Sequence, residues 1–261
     1  MDLPKGFAKG ADEARRRICA ELLRVGLRRG GIVLVHSSLS SLGHVPGGPE
    51  TVILGLLEAL GPDGTLLMPA LSYELVGPEQ PVFDVLRTPS NVGAIPEHFR
   101  TRSGTLRSIH PTHSVCGVGR LAGGILAEHH LDDTPVGPHS PFRRVRDLGG
   151  QILFLGCGLR PNTSMHGVEE LAEVPYLFGE TYIYRIIDAQ GREWSARHRH
   201  HNFAGWRQRY DRVADLLTAG AEIKAGRVLQ ATVHILQARP MWRRALEALR
   251  SDPFYFVERR R

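Results

Sequence analysis

Gly31-Ile32-Val33-Leu34-Val35-His36 runs straight into Ser37-Ser38-Leu39-Ser40-Ser41-Leu42-Gly43. Four branched aliphatics without polar alternation read as a strand covered on both faces, as in a parallel sheet, and the Ser/Gly turn marks where the chain leaves that sheet. Upstream, Ile18, Leu22, Leu23 and Val25 recur among arginines between Ala11 and Leu27, which predicts an amphipathic helix punctuated by Gly26 and Gly31. Downstream, Thr51–Leu60 reads as a second helix and Gly64–Pro69 as a second strand. Strand, helix, strand is the local rhythm.

Later segments keep it. Helices are expected near Val92–Arg102, Leu121–His129 and Ser164–Ala172, and strands at Ser114–Gly117 and Gln151–Leu155. Thr181–Asp188 and Glu193–Arg197 flank the turn Ala189-Gln190-Gly191 and predict a hairpin added to the sheet. Val228–Leu236 reads as one more strand, and helices are expected at Phe203–Ala219 and Met241–Arg250. The expectation is an α/β protein: a single layered α/β/α domain over residues 1–261, with a mixed central sheet and added C-terminal helices.

Composition narrows the function classes. With 42% hydrophobic and 23% charged residues over 261 positions, the chain is an ordinary globule and wholesale disorder is excluded. No apolar run approaches the ~20 residues that cross a bilayer. Met1–Lys9 lacks the apolar middle of a secretory signal, so a cytoplasmic protein without a membrane partner is expected. Cys19, Cys116 and Cys157 are three, with no CxxC pair, so neither a disulfide framework nor a Cys-based zinc site is encoded and each reads as a small buried hydrophobe. The formal charge of +6 favours an anionic partner, though the closing Arg259-Arg260-Arg261 reads as a solvated tail. Met241, Trp242 and Phe254–Val257 are apolar enough to bury internally or across a dimer interface, which leaves monomer or homodimer open.

Four constellations could carry chemistry. The Ser/Gly turn after His36 could wrap an anion with backbone N–H groups, yet neither GxxxxGK[ST] nor GxGxxG is present. In Arg107-Ser108-Ile109-His110-Pro111-Thr112-His113-Ser114, a polar run before an apolar strand, His110 precedes a proline and is biased to extended backbone; a loop histidine is the plain reading. In Asn162-Thr163-Ser164-Met165-His166-Gly167-Val168-Glu169-Glu170, residues 162–164 can cap a helix on which His166 and Glu169, at i and i+3, share a face. A histidine near a helix N-terminus tends to stay neutral, as a general base must be; a structural histidine fits equally well. Arg197-His198-Arg199-His200-His201 invites a zinc reading, but its arginines would repel a dication and no HExxH occurs. Strand alternation would also send His198 and His200 one way and His201 the other. No metal is expected.

Taken in order, LVHSSLSSLG (Leu34–Gly43), the glycines at 47 and 48, LGPDGTLLMPA (Leu60–Ala70), FDVLRTPSNVGAIPEHFR (Phe83–Arg100), RSIHPTHS (Arg107–Ser114), GPHSPFRRV (Gly137–Val145) and ILFLGCGLRPNTSMHGVEELAEVPY (Ile152–Tyr176) resemble the aminoglycoside N3-acetyltransferase family, which is unrelated to the smaller GNAT acetyltransferases. The resemblance spans about residues 12 to 215. It implies acetyl transfer from acetyl-CoA to an aminoglycoside amine, conferring antibiotic resistance. It implies that the cofactor lies along His36, Ser37, Ser38, Leu39, Ser40, Ser41, Leu42 and Gly43, with Arg107, Ser108 and His110 nearby. It makes His166 the catalytic base and sets Glu169 on the amine side of the cleft. Tyr73, Glu74, Asp84, Glu169 and Glu170, in or beside these blocks, are the acceptor-side candidates.

One departure matters. Arg197 and Arg199 stand where similar sequences tend to carry acidic residues that orient the base, which leaves Glu169 as the substitute. Attack on a thioester needs a deprotonated amine, and histidine, with an ordinary pKa near ~6.5, suits that step. No nucleophile elbow is apparent, so direct transfer in a ternary complex is expected, with backbone N–H groups of 37–41 or 162–164 as oxyanion donors. The alternatives are the same chemistry on another small amine, a nucleic-acid-binding module, which lacks any RNP or helix-turn-helix pattern, and a His-metal hydrolase.

Overall fold

The structure, a computed structural model, describes residues 5–260. Met1–Pro4 and Arg261 lie outside the described residues, so of the opening and closing stretches read above only Lys5 onward and Arg259-Arg260 are described. The chain forms α1 (Lys5–Val25), β1 (Ile32–Ser37), α2 (Gly48–Leu60), β2 (Thr65–Pro69), β3 (Val82–Asp84), α3 (Ala94–Thr101), β4 (Leu106–Arg107), β5 (Val115–Gly119), α4 (Ala122–Leu126) and α5 (Pro141–Asp147). There follow β6 (Gln151–Leu155), α6 (Ser164–Ala172), β7 (Phe178–Ile187), β8 (Glu193–His201), β9 (Trp206–Gln208), β10 (Ile223–Val228), β11 (Ala231–Gln237), α7 (Ala238–Ser251) and β12 (Val257–Arg259).

The fold is mixed α/β around a seven-stranded sheet ordered β10-β11-β6-β1-β2-β5-β4. Its centre, β6-β1-β2, is parallel, and the outer strands add antiparallel. The aliphatic runs in β1 and β6 are continuous because both faces are covered. Val33, Val35, Leu153 and Leu155 enter one core with residues of α1, α2 and α3, while Ile32, Leu34, Ile152 and Phe154 enter the opposite core with residues of α5, α6 and α7. Helices thus flank the sheet on both sides.

Several elements differ from expectation, each for a local reason. The hairpin β7–β8 does not extend the central sheet; with β3 it makes a separate three-stranded sheet, closed by its own core of Val76, Phe83, Val85, Tyr184 and Ile186. Residues 203–219 are not a helix, since β9 pairs with β12 and Tyr210–Leu216 is a 3-10 segment burying Tyr210 and Val213 at its i,i+3 spacing. The single strand expected at 228–236 is the hairpin β10–β11, turned at Leu229-Gln230 with Leu229 at φ 51°, without the Gly or Asn that would have announced it. α5 was not anticipated, although its Ser140-Pro141 start is a helix signal: Phe142 N–H donates to Ser140 Oγ (3.3 Å). Arg259 and Arg260, the described part of the basic tail, are not loose. Arg259 stacks over Trp206 (4.2 Å), and Arg260 donates from its backbone N–H to Gly205 O (2.9 Å). Met241, Trp242, Phe256 and Val257 bury internally.

Burial of histidine makes stability pH-dependent. His129 is buried against Ser108, its Nδ1 2.9 Å from Ser108 Oγ, and desolvation lowers its pKa from 6.5 to about 3. Between those values the unfolded chain binds the proton and the folded chain does not, so this contribution is complete above pH 6.5 and is lost as pH falls towards 3. The expected cost is about 1.4 kcal/mol per pH unit below 6.5 for this one group. Urea unfolding from pH 7 to pH 5 checks it: His129→Asn, which keeps a partner for Ser108, should flatten the slope by about one proton. An unchanged slope would refute it.

Candidate active site

The chain leaves β1 towards α2 on one face of the sheet and leaves β6 towards α6 on the other. Such a parting at the carboxyl ends of adjacent parallel strands is where open α/β sheets take ligands. A cavity of about 470 Å³ lies there. His36 and Ser37 reach it from β1, Cys157 and Arg160–Thr163 from the β6–α6 connection, His166 from α6, and His200 and His201 from β8. Thr112 and His113 enter ahead of β5, and Tyr210 from the 3-10 segment.

His166 is fixed from behind. Tyr210 donates its hydroxyl to Glu169 Oε2 (2.7 Å), and Tyr176 donates to Glu169 Oε1 (2.9 Å). Tyr210 Oη lies 3.0 Å from His166 Nδ1 and Glu169 Oε2 lies 3.4 Å from it. Because the tyrosine proton is spent on the carboxylate, Nδ1 must be the donor to Tyr210 Oη, which leaves Nε2 with a free lone pair. Burial and the Glu169 charge hold both tyrosines above the ordinary phenol range, so they remain O–H donors. Glu169 is fully buried and does not line the cavity as an acceptor-side residue; its carboxylate sits behind His166, beside Nδ1. Thr163, the residue at the helix start, makes no side-chain capping bond, contrary to the capping expected at 162–164.

A second histidine is held the same way. His201 Nε2 lies 2.9 Å from Glu170 Oε1, and Glu170 also accepts from the Thr134 hydroxyl (2.7 Å) and Val136 N–H (2.8 Å), with Arg143 at 3.5 Å. Glu170 is therefore buried scaffolding rather than a substrate contact; burial raises its pKa against the pull of those partners. His198 and His200 face Tyr184, with ring centroids 5.9 and 5.6 Å away, while His201 turns to His166 (4.9 Å) and His113 (5.7 Å).

Other predicted site residues separate from the cavity. Of the turn 36–43, only His36 and Ser37 line it; Ser38 N–H is spent on Leu155 O (2.9 Å), and Leu39, Ser40, Ser41, Leu42 and Gly43 continue as a 3-10 turn behind. Arg107 is not free for a phosphate: Nε donates to Ser114 Oγ, one terminal nitrogen to Val85 O and Thr88 O, the other to Ala70 O and Ser72 Oγ. That spends all five donors of the guanidinium, and burial lowers its pKa to about 10. Ser108 is buried between His129 and Val115 N–H, and buried His110 accepts at Nδ1 from Thr112 and His113 N–H. Asp84 holds a turn by accepting from Leu86 and Arg87 N–H. Tyr73, half-exposed, lines the cavity, and Glu74 beside it is exposed. Among the described residues no carboxylate lines the cavity.

Cysteine chemistry is disfavoured on different grounds from those expected. Cys157 is not a core residue; it lines the cavity, with burial raising its thiol to about 12. Such a thiol is almost wholly protonated at neutral pH. Tyr210 and Tyr176 are residues that sequence reasoning missed, and His113 and His201, though within the constellations weighed above, carried no assigned role. Among the described residues no helix is long and apolar enough to cross a membrane.

Comparison with known proteins adds a third line. Residues 34–250 match the family model described as Aminoglycoside 3-N-acetyltransferase. The chain is 31% identical to aminoglycoside N(3)-acetyltransferase VIII of Streptomyces fradiae over 93% of both chains. It superposes on a histidine-to-alanine mutant of aminoglycoside acetyltransferase AAC(3)-IVa in complex with a gentamicin with a TM-score of 0.80 at 31% identity, covering 93% of this chain and 90% of that one. It superposes on AAC-IIIb, a binary complex with CoASH, with a TM-score of 0.79 at 27% identity, covering 91% and 96%. By matched length, fold and identity together, the chain belongs to the aminoglycoside 3-N-acetyltransferase family, whose members are acyltransferases.

Proposed function

We propose that this protein transfers the acetyl group of acetyl-CoA to an amine of an aminoglycoside, at the 3-N position, in a ternary complex with His166 as general base. The observation that carries this reading is His166 lining the cavity with Nδ1 engaged by Tyr210 and Glu169, which leaves Nε2 as the nitrogen with the lone pair. The amine N–H proton passes to Nε2 as nitrogen attacks the thioester carbonyl, and the thiolate of CoA leaves. Backbone N–H groups of Ser37 and of Asn162–Thr163, the parts of the two turns that line the cavity, are offered to the developing oxyanion; Ser38 N–H, spent on Leu155 O, is not. Arg160, exposed on the cavity wall, replaces Arg107 as the cation offered to a CoA phosphate. A thiol as protonated as Cys157 favours direct transfer over an acyl-enzyme.

The lack of a lining carboxylate among the described residues favours a second reading for the acceptor alone, a less cationic amine, because a polycation gains little from a wall that offers histidines and one arginine but no anion. The test is acetyl-CoA turnover, read as thiol release with mass detection of product, across 2-deoxystreptamine aminoglycosides and simple amines. N-acetylation of the former supports the first reading. Turnover of simple amines alone would replace it with the second, and absence of any CoA-dependent turnover would sink both.

A further inference from the structure

Two buried carboxylates fix two lone pairs in the same small space. A carboxylate accepts but does not donate, so the 2.9 Å contact with Glu170 places the His201 proton on Nε2 and leaves Nδ1 bare. That Nδ1 is buried without a hydrogen-bond partner, in a side chain only 5% exposed. His166 Nε2 is bare for the corresponding reason, through Tyr210 and Glu169. His113 turns its Nδ1 to Thr112 Oγ1 (2.9 Å), which leaves its Nε2. One ring nitrogen from each of the three histidines lies within 4.8 Å of the other two.

We propose that His113 Nε2, His166 Nε2 and His201 Nδ1 form a three-imidazole site for a divalent transition ion of the Zn²⁺ type, its fourth coordination position open to the cavity. Three imidazoles with one open position are an established zinc arrangement. Each ring's other nitrogen is tied to a carboxylate or hydroxyl, the outer-shell bonding that orients metal-binding histidines. Glu169 and Glu170 supply two negative charges behind the rings, which offsets the ion's charge and answers the repulsion expected from neighbouring arginines. Tetrahedral Zn–N bonds of about 2.1 Å put ligand nitrogens about 3.4 Å apart, so closing on an ion asks for ring movements of about 1 Å.

Occupation takes the lone pair of His166 Nε2. On the reading given under Proposed function, the ion is therefore an inhibitor of acetyl transfer.

Untagged protein stripped by chelator and desalted should take up one equivalent of Zn²⁺ with micromolar or tighter affinity in calorimetry. Co²⁺ in its place should give the strong visible absorption of a four- or five-coordinate ion. His113→Gln and His201→Gln should each weaken binding by about 100-fold or more, with folding checked by circular dichroism. Uptake that both folded variants retain, or a weak six-coordinate Co²⁺ spectrum in the unsubstituted protein, would overturn the site even if a variant failed to fold. One equivalent of Zn²⁺ should silence turnover and a chelator restore it. Binding without inhibition leaves the site standing and removes His166 from the role of base, so the two failures are distinguishable.

Discussion

His166→Ala should lower kcat by about 10²–10⁴-fold while the Kd for CoA stays within about twofold. The asymmetry follows from the geometry. His166 lines the cavity, and with Nδ1 occupied by Tyr210 the remaining ring nitrogen is Nε2, so truncation removes a proton acceptor. The turn at His36–Ser37 and Arg160, the groups proposed for CoA, line the cavity from other segments and make no hydrogen bond to the imidazole. Turnover is to be measured with saturating acetyl-CoA and amine, and CoA affinity by calorimetry on the same preparation, from which metal has been removed. A kcat near that of the unsubstituted protein would take His166 out of the reaction. A matching loss of CoA affinity would make it a binding residue instead.

Much of the frame was legible because it rests on short-range pattern. The runs Ile32–Val35 and Ile152–Leu155 have no polar alternation, and both are central parallel strands buried on two faces. His166 and Glu169 were readable as partners because i,i+3 spacing on a helix is a local property. Tyr210 was hidden by its own neighbourhood: Tyr210, Val213 and Leu217 look like a helical stripe, yet Tyr210–Leu216 is a 3-10 segment, with Leu217 already extended, that brings a phenol 44 positions along the chain to His166. Residues 197–201 were set aside as a metal motif on local spacing alone. Of its three histidines only His201 joins His166 and His113, which come from α6 and from the segment ahead of β5, and no sequence spacing encodes that meeting. Arg107 shows the reverse error. A conspicuous arginine in a motif block is a buried brace whose donors all end on its own chain.

Glu169→Gln should be nearly as damaging to kcat as loss of the imidazole, about 10²–10³-fold, because it reverses the tautomer rather than merely weakening a contact. Tyr176 and Tyr210 both donate to Glu169 in the native arrangement, one to each oxygen. A glutamine there has one oxygen and one NH2. The arrangement that leaves no donor unspent keeps the oxygen on Tyr176 and turns the NH2 to Tyr210 Oη. Tyr210 must then direct its own hydroxyl at His166 Nδ1, which pushes the ring proton onto Nε2 and blocks the base. The same substitution strips the charge that would stabilise the imidazolium formed in the step. Tyr210→Phe is the contrasting case, since Glu169 Oε2 still lies 3.4 Å from Nδ1 and can hold the proton there, so a loss of about tenfold is expected. Steady-state kinetics of both variants, with melting temperatures to confirm folding, check the order. KM for the amine should move little in either, since neither group lines the acceptor side as a charge. Equal losses from the two substitutions, or a Glu169→Gln enzyme within about tenfold of the unsubstituted one, would mean that the ring takes its orientation from somewhere other than this carboxylate.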